Sequence, residues 1–312
     1  MSKHISKIDF NNYFKLACKP TKHLVRSFLL ENKFRNFHIK KYDEKKSLNL
    51  LKLKKIIKVF KNLRKKSWND SWRSVYIAFK KNKKVSNLFP IYKDNSKIIR
   101  LLGYFVVFKN KHSFEKISEL FLYNIFNFFN FFKDCKKILY FGCGTGKNIL
   151  ILKKKYPFMN IVGFDRSPYS GKIISEINKH YKFNIQFKLF DFFSPGKSKL
   201  DLSTMSKKKH GVLTIHSLEQ TGHKFTKFFN FLKKINPEIV VNIEPELYFY
   251  KASNNFDRSM IEFHKKKGYL NGYVNFLKQQ EDKNVIEIIM LKRLYVGSES
   301  HEPFNLIVYK FI

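Results

Sequence analysis

The sequence predicts an α/β chain, with a doubly wound, mainly parallel sheet of seven strands in its C-terminal half and a helical extension in front. Three observations predict it. Ile138-Leu139-Tyr140-Phe141 runs straight into glycines at alternate positions, Gly142, Gly144 and Gly146. Further short apolar runs alternate with helix-compatible stretches over short connections, the pattern of parallel βαβ units. Polar or acidic residues stand where those runs end, and open parallel sheets gather their ligands at such strand ends.

From the front, residues 1–95 read as short helices with lysine-rich faces, an all-helical cap or recognition element. Leu48, Leu50, Leu51, Leu53, Ile56, Ile57, Val59 and Phe60 give a broad apolar face. Trp68, Trp72, Tyr76 and Phe79 recur at helical spacing, an aromatic stripe read as a packing face. Pro90 and Asp94-Asn95-Ser96 mark a loop, and Ser113 caps a Phe-rich helix expected over 114–132. The division expected is a basic helical region over 1–112 and a ligand-binding domain over 113–312.

The first strand and its bend come next. Glycine suits a turn that needs dihedrals a Cβ forbids and that lets a ligand approach bare backbone. Ile161-Val162-Gly163-Phe164 ends on Asp165, nineteen residues after the last of these glycines, an acidic strand end placed to accept hydrogen bonds from ribose hydroxyls. Ile185–Leu189 is the third strand, with Asp191 and Phe192 after it. Gly211–His216 and Glu238–Ile243 are the fourth and fifth, and Ile286–Met290 with Asn305–Lys310 the closing antiparallel pair.

The glycine spacing is not the Gly-x-Gly-x-x-Gly of a dinucleotide fold, and Lys147 is followed by Asn148, not by the Ser or Thr of a P-loop. The order of motifs resembles the class I S-adenosylmethionine-dependent methyltransferases, with their Rossmann-like sheet, over residues 135–312. The resemblance implies that Gly142, Cys143, Gly144 and Gly146 cradle S-adenosylmethionine. Asp165 would hold its ribose, and Asp191, with Phe192 beside it, its adenine. Phe141 stands where many family members carry an acidic residue.

The same resemblance puts His216-Ser217-Leu218-Glu219-Gln220, after the fourth strand, near the transferred methyl. That segment is not the Asn/Asp-Pro-Pro-Tyr/Phe of enzymes methylating amino nitrogens. A Pro-Cys nucleophile and a paired-glutamate loop are likewise missing from it. A histidine with a carboxylate suits proton removal from a hydroxyl near neutral pH, so His216, Glu219 and Glu244 are the catalytic candidates. Each has a plainer reading: His216 packing beside adenosine, Glu219 at a helix first turn, Glu244 as a cap. This strand end with Asn242-Ile243-Glu244-Pro245 is similar to a bacterial methyltransferase group linked to surface-polysaccharide or other small-molecule modification. His264, before Lys265-Lys266-Lys267, is expected to be solvated, and His301 to lie in a polar loop.

Composition bounds the partners. Lys and Arg outnumber Asp and Glu by 62 to 24, a net charge of +38. Residues 1–134 hold 32 basic and 9 acidic residues (net +23), and 135–312 hold 30 and 15 (net +15). Such charge suits polyanions such as RNA or an anionic membrane surface. Only eight of the basic residues are arginine, however, and Phe, Asn, Ile and Tyr are abundant, the bias an AT-rich genome writes. Three cysteines without metal or disulfide spacing fit a reducing cytoplasm and no metal. The most apolar windows, Leu101–Phe108 and Leu120–Phe132, fall short of the ~20 residues of a membrane helix. The readings that follow are an O-methyltransferase acting on a sugar or small-molecule hydroxyl, an RNA methyltransferase gripping through its basic front, and a cofactor-binding scaffold without catalysis.

Overall fold

A computed structural model describes residues 8–41, 68–89, 98–109, 113–197 and 209–312. The apolar run 48–60 and the loop at Pro90 and Asp94–Ser96 lie outside the described residues. In chain order the helices are α1 (Phe10–Cys18), α2 (Lys22–Glu31), α3 (Trp68–Asn82), α4 (Ser113–Phe129), α5 (Lys147–Lys155), α6 (Pro168–Tyr181), α7 (Thr226–Ile235), α8 (Asn255–Lys267) and α9 (Tyr273–Asp282). The strands are β1 (Phe37–Lys41), β2 (Ile98–Leu101), β3 (Tyr104–Phe108), β4 (Lys137–Phe141), β5 (Asn160–Asp165), β6 (Gln186–Leu189), β7 (His210–Ile215), β8 (Ile239–Ile243), β9 (Ile286–Arg293), β10 (Val296–Ser298) and β11 (Asn305–Phe311).

The expected seven-stranded sheet is present, in the order β6-β5-β4-β7-β8-β11-β9. Strands β4 to β8 run parallel, and β11 inserts antiparallel between β8 and β9. The chain starts in the middle at β4, winds outward to β6, then returns to β7 on the other side of β4. Strand order therefore reverses between β4 and β7, the place where open parallel sheets gather their ligands. Strands β4, β5, β7 and β8 are nearly continuous apolar runs because both faces are covered. Ile138 and Tyr140 of β4 point into a core shared with α4, α5 and α6, and the alternate residues Leu139 and Phe141 point into a second core built on α7 and α9. Phe141 there stacks on Phe164, with ring centroids 4.4 Å apart, and meets Phe190 and Phe228 edge-on.

The front of the chain is not all-helical, as its periodicity suggested. Strands β1, β3 and β2 form an antiparallel sheet completed by β10 from the far end of the chain, in the order β1-β3-β2-β10. The apolar window at 101–108 holds the turn and second strand of a hairpin. Its turn puts Leu102 and Gly103 both at positive φ (51° and 79°), the tight mirror-image turn that matches strand twist. Gly103 between two β-branched and aromatic runs was the available signal. The aromatic stripe of α3 does pack, with Trp72, Val75 and Phe79 buried. Tyr76 lies against Tyr169 of α6, and Lys83 pairs with Glu176 of the same helix. Among the described residues, no helix is long and apolar enough to cross a membrane.

Candidate functional site

At the end of β4 the backbone turns through Gly142 (φ 72°), Gly144 (φ 53°) and Gly146 (φ 71°), the left-handed region that side chains avoid. The amides of Gly142 and Cys143 both donate to the carbonyl of Phe164, at 2.7 and 2.9 Å, which ties the bend to β5. A Cβ on Gly142 would lie 2.2 Å from Cβ of Ser217, so only glycine lets the bends after β4 and β7 touch. Cys143 is buried beside Gly163, and burial holds its thiol well above the ordinary range, so it fills space and is no nucleophile.

Asp165, at the end of β5, faces this bend. Its Oδ2 accepts the Gly144 amide at 2.8 Å and its Oδ1 the Ser167 amide at 2.9 Å. Burial raises its pKa, while those two amides and the Ser170 hydroxyl pull it down. A carboxylate has about four acceptor directions, so these three donors do not use up its capacity. Asp191, past β6, accepts the Phe193 amide at 3.0 Å, and Phe192 packs edge-on against Phe190 and Phe228.

A cavity of about 160 Å³ opens among these groups. Gly142, Cys143, Gly144, Asp165, Asp191 and Phe192 all line it. Gly146 does not; it caps α5 behind the bend, against Ile177. His216, Ser217, Gln220 and Thr221 contribute the wall after β7. At the end of β4 the side chain facing the cavity is Tyr140, not Phe141, and its hydroxyl accepts from Nδ2 of Asn148 at 3.0 Å. The strand's two-residue period, counted from Ile138, carried that signal.

Two of the three catalytic candidates do not reach the cavity. Glu244 is fully buried at the end of β8, where its carboxylate accepts the amides of Ser217, Leu218 and Glu219 at 3.0–3.1 Å. Burial pushes its pKa up to about 7 against the pull of those three amides. A strand end and the first turn of a neighbouring loop thus satisfy each other. Glu219 is buried as well, its Oε1 accepting from Gln220, while Gln220 and Thr221 on either side of that turn line the cavity instead. His216 alone of the three stands on the cavity wall. It sits at φ 50°, left-handed backbone that costs a residue with a side chain of order 1–3 kcal/mol, and such strain persists only where the surroundings over-determine it. Here the His216 amide donates to the Ile243 carbonyl, Glu244 holds the next three amides, and Phe304 meets the imidazole edge-on at 4.7 Å.

His264 is not solvated. Phe256, Met260, Phe263, His264 and Lys267 recur at helical spacing and turn inward, leaving Lys265 and Lys266 outside. Burial pushes the His264 pKa down to about 3. His301 lies 5.4 Å from it and stacks on Phe263, and burial likewise lowers its pKa. Among the described residues no cluster of three His, Cys, Asp or Glu side chains is placed to hold a metal ion.

No protein-family model matches the chain, and no curated protein does. Solved structures of similar shape include the pyocyanin biosynthetic protein PhzM, at a TM-score of 0.46 and 11% identity over 63% of this chain and 56% of that one. The mitomycin 7-O-methyltransferase MmcR follows at 0.42 and 13% over 63% and 55%. An rRNA methylase from Escherichia coli stands at 0.41 and 10% over 78% and 76%. The chain spans little more than half the length of the first two. All three are distant, and it is the strand order that carries the fold.

Proposed function

We propose that the chain is an S-adenosylmethionine-dependent methyltransferase acting on a hydroxyl of a sugar or other small molecule. The observation that carries this reading is the convergence of Gly142 and Gly144 of the bend, Asp165 and Asp191 on one cavity at the strand-order reversal. The donor set fits the cofactor. Gly142 and Gly144 line the cavity with main chain, Asp165 offers lone pairs to a vicinal diol, and Asp191 with Phe192 offers an acceptor beside an apolar face. Bound S-adenosylmethionine supplies a methyl group already activated for displacement.

The residues then have mostly to orient and to exclude water, and alignment alone is worth roughly 7–11 kcal/mol of barrier. His216 is the one candidate base on the wall, and neutral imidazole suits a hydroxyl proton near pH 7. Glu244 acts through the backbone of 217–219 and positions that wall. Glu219 has no part in the reaction in this reading.

Labelled S-adenosylmethionine offered to fractionated glycan, metabolite and RNA pools tests the proposal. Label in the glycan or metabolite fraction supports it. Label in RNA alone, with binding that weakens steeply as salt rises, replaces it with the RNA reading that the charge of +38 suggests. His216→Ala should slow transfer roughly 100-fold with cofactor affinity unchanged; an unaltered rate removes the base.

A further inference from the structure

The glycine bend is covered from outside by the front of the chain. Trp68 and Trp72, the only tryptophans in the sequence, both line the cavity and lie one turn apart on α3. Their ring centroids are 5.6 Å apart at an interplanar angle of 33°. Cζ2 of Trp72 lies 3.2 Å from where a Cβ on Gly144 would stand, and the Gly144 amide is the one that donates to Asp165. Between the two indoles, Asn69 accepts the Ser167 hydroxyl at 2.9 Å, and the Ser167 amide donates to the other oxygen of Asp165. The first turn of α3 is thereby tied to the same two turns that hold the candidate ribose carboxylate. Further along the helix, the Tyr76–Tyr169 contact and the Lys83–Glu176 pair lock it to α6.

A buried packing face needs no second indole at a cavity mouth. Trp72 is 6% exposed and serves the core, whereas Trp68 is partly buried against that core and also lines the cavity, as Arg166 and Asp165 do. Flat indole faces beside a candidate diol-binding carboxylate suit a purine base through stacking.

We infer that Trp68 and Trp72 form the outer wall of the nucleoside end of the cavity and position the adenosyl group of the cofactor. Resting on the reading above, the inference makes the front of the chain part of the cofactor site, beyond any role in recognising the acceptor. The sulfonium is the competing target, since a cation over an indole is also attractive. S-adenosylhomocysteine, which keeps the nucleoside and lacks the positive charge, separates the two.

The experiment uses the full-length chain. Calorimetry and intrinsic tryptophan fluorescence are followed while S-adenosylmethionine and, separately, S-adenosylhomocysteine are titrated in. Both ligands should change the emission to a similar extent, and Trp68→Ala should weaken both about tenfold, the scale of one lost stacking face. Trp68→Phe should recover most of that loss. Circular dichroism should show Trp68→Ala folded, with a melting temperature lowered by the lost core contacts of a partly buried ring and largely restored by Trp68→Phe, and Trp72→Phe serves as the conservative variant at the buried position. If wild type binds both ligands with silent fluorescence and Trp68→Ala binds as well as wild type, the wall is wrong and the methyltransferase reading stands. A response to S-adenosylmethionine alone overturns the nucleoside assignment. If wild type binds neither ligand by calorimetry, the reading itself falls and the inference with it.

Discussion

Asp165 and Glu244 occupy matching places, at the carboxyl ends of β5 and β8, and do different work. Each is buried, each accepts backbone amides from a neighbouring turn, and in each burial raises the pKa against those amides. Asp165 takes two amides and faces the cavity; Glu244 takes three and faces none of it. One is left with acceptor capacity on the cavity side, and the other is consumed in holding a loop. A carboxylate at a strand end is therefore a site residue or a strut according to how many amides reach it and on which side of the sheet's edge.

The strut should show its role in stability. Glu244→Ala strands three amides in a buried turn and should cost about 3 kcal/mol or more, read from the urea midpoint at constant slope. The wild type should also lose stability as pH rises. The folded pKa of Glu244, about 7, exceeds its ordinary 4.5, so its contribution is complete below pH 4.5 and lost as pH passes 7. Glu244→Gln should remove that slope, and a slope unchanged in the variant would assign it to other groups.

The contact between the two bends is the next handle. Gly142→Ala puts a Cβ into Ser217 at positive φ and should cost about 2 kcal/mol from overpacking and strain together. Ser217→Gly in the same chain should return the overpacking share but leave the strain. If the double variant melts no higher than the single one, the two bends do not meet as described.

The smallest effect on stability belongs to the residue that lines the cavity. Asp165→Asn keeps one acceptor oxygen but turns an NH2 group toward the Gly144 or Ser167 amide, so it should cost about 1–2 kcal/mol of stability, while affinity for S-adenosylmethionine drops about tenfold, the lower range for a hydrogen bond to a charged group. A stability loss as large as that of Glu244→Ala, with affinity unchanged, would make Asp165 a second strut.

Much of the sheet was legible because its signals are local. Central strands must be apolar on both faces, the bend needs glycine, and the chain order of the strands matches their enumeration from Ile138 to Lys310. The front half was read less well. Its hairpin turns on the single residue Gly103, and β10 returns from the other end of the chain to finish that sheet, a pairing no local window contains. The site divided in the same way. Asp165, Asp191 and the glycines announce themselves by position along the chain. Tyr140 was passed over for Phe141, although the strand's period places Tyr140 on the cavity side.

By itself the sequence determined a parallel sheet started at Ile138, a bend bare of side chains after it, and acidic residues at the strand ends, since propensity, period and glycine spacing act over a few residues. Only the tertiary structure decided which of those acids meets the cavity, that His264 is buried, and that two tryptophans from the front of the chain stand over Gly144 and Asp165. Those outcomes depend on which groups reach a given carboxylate or ring once distant segments have packed, and burial and hydrogen bonding are properties of that assembled neighbourhood.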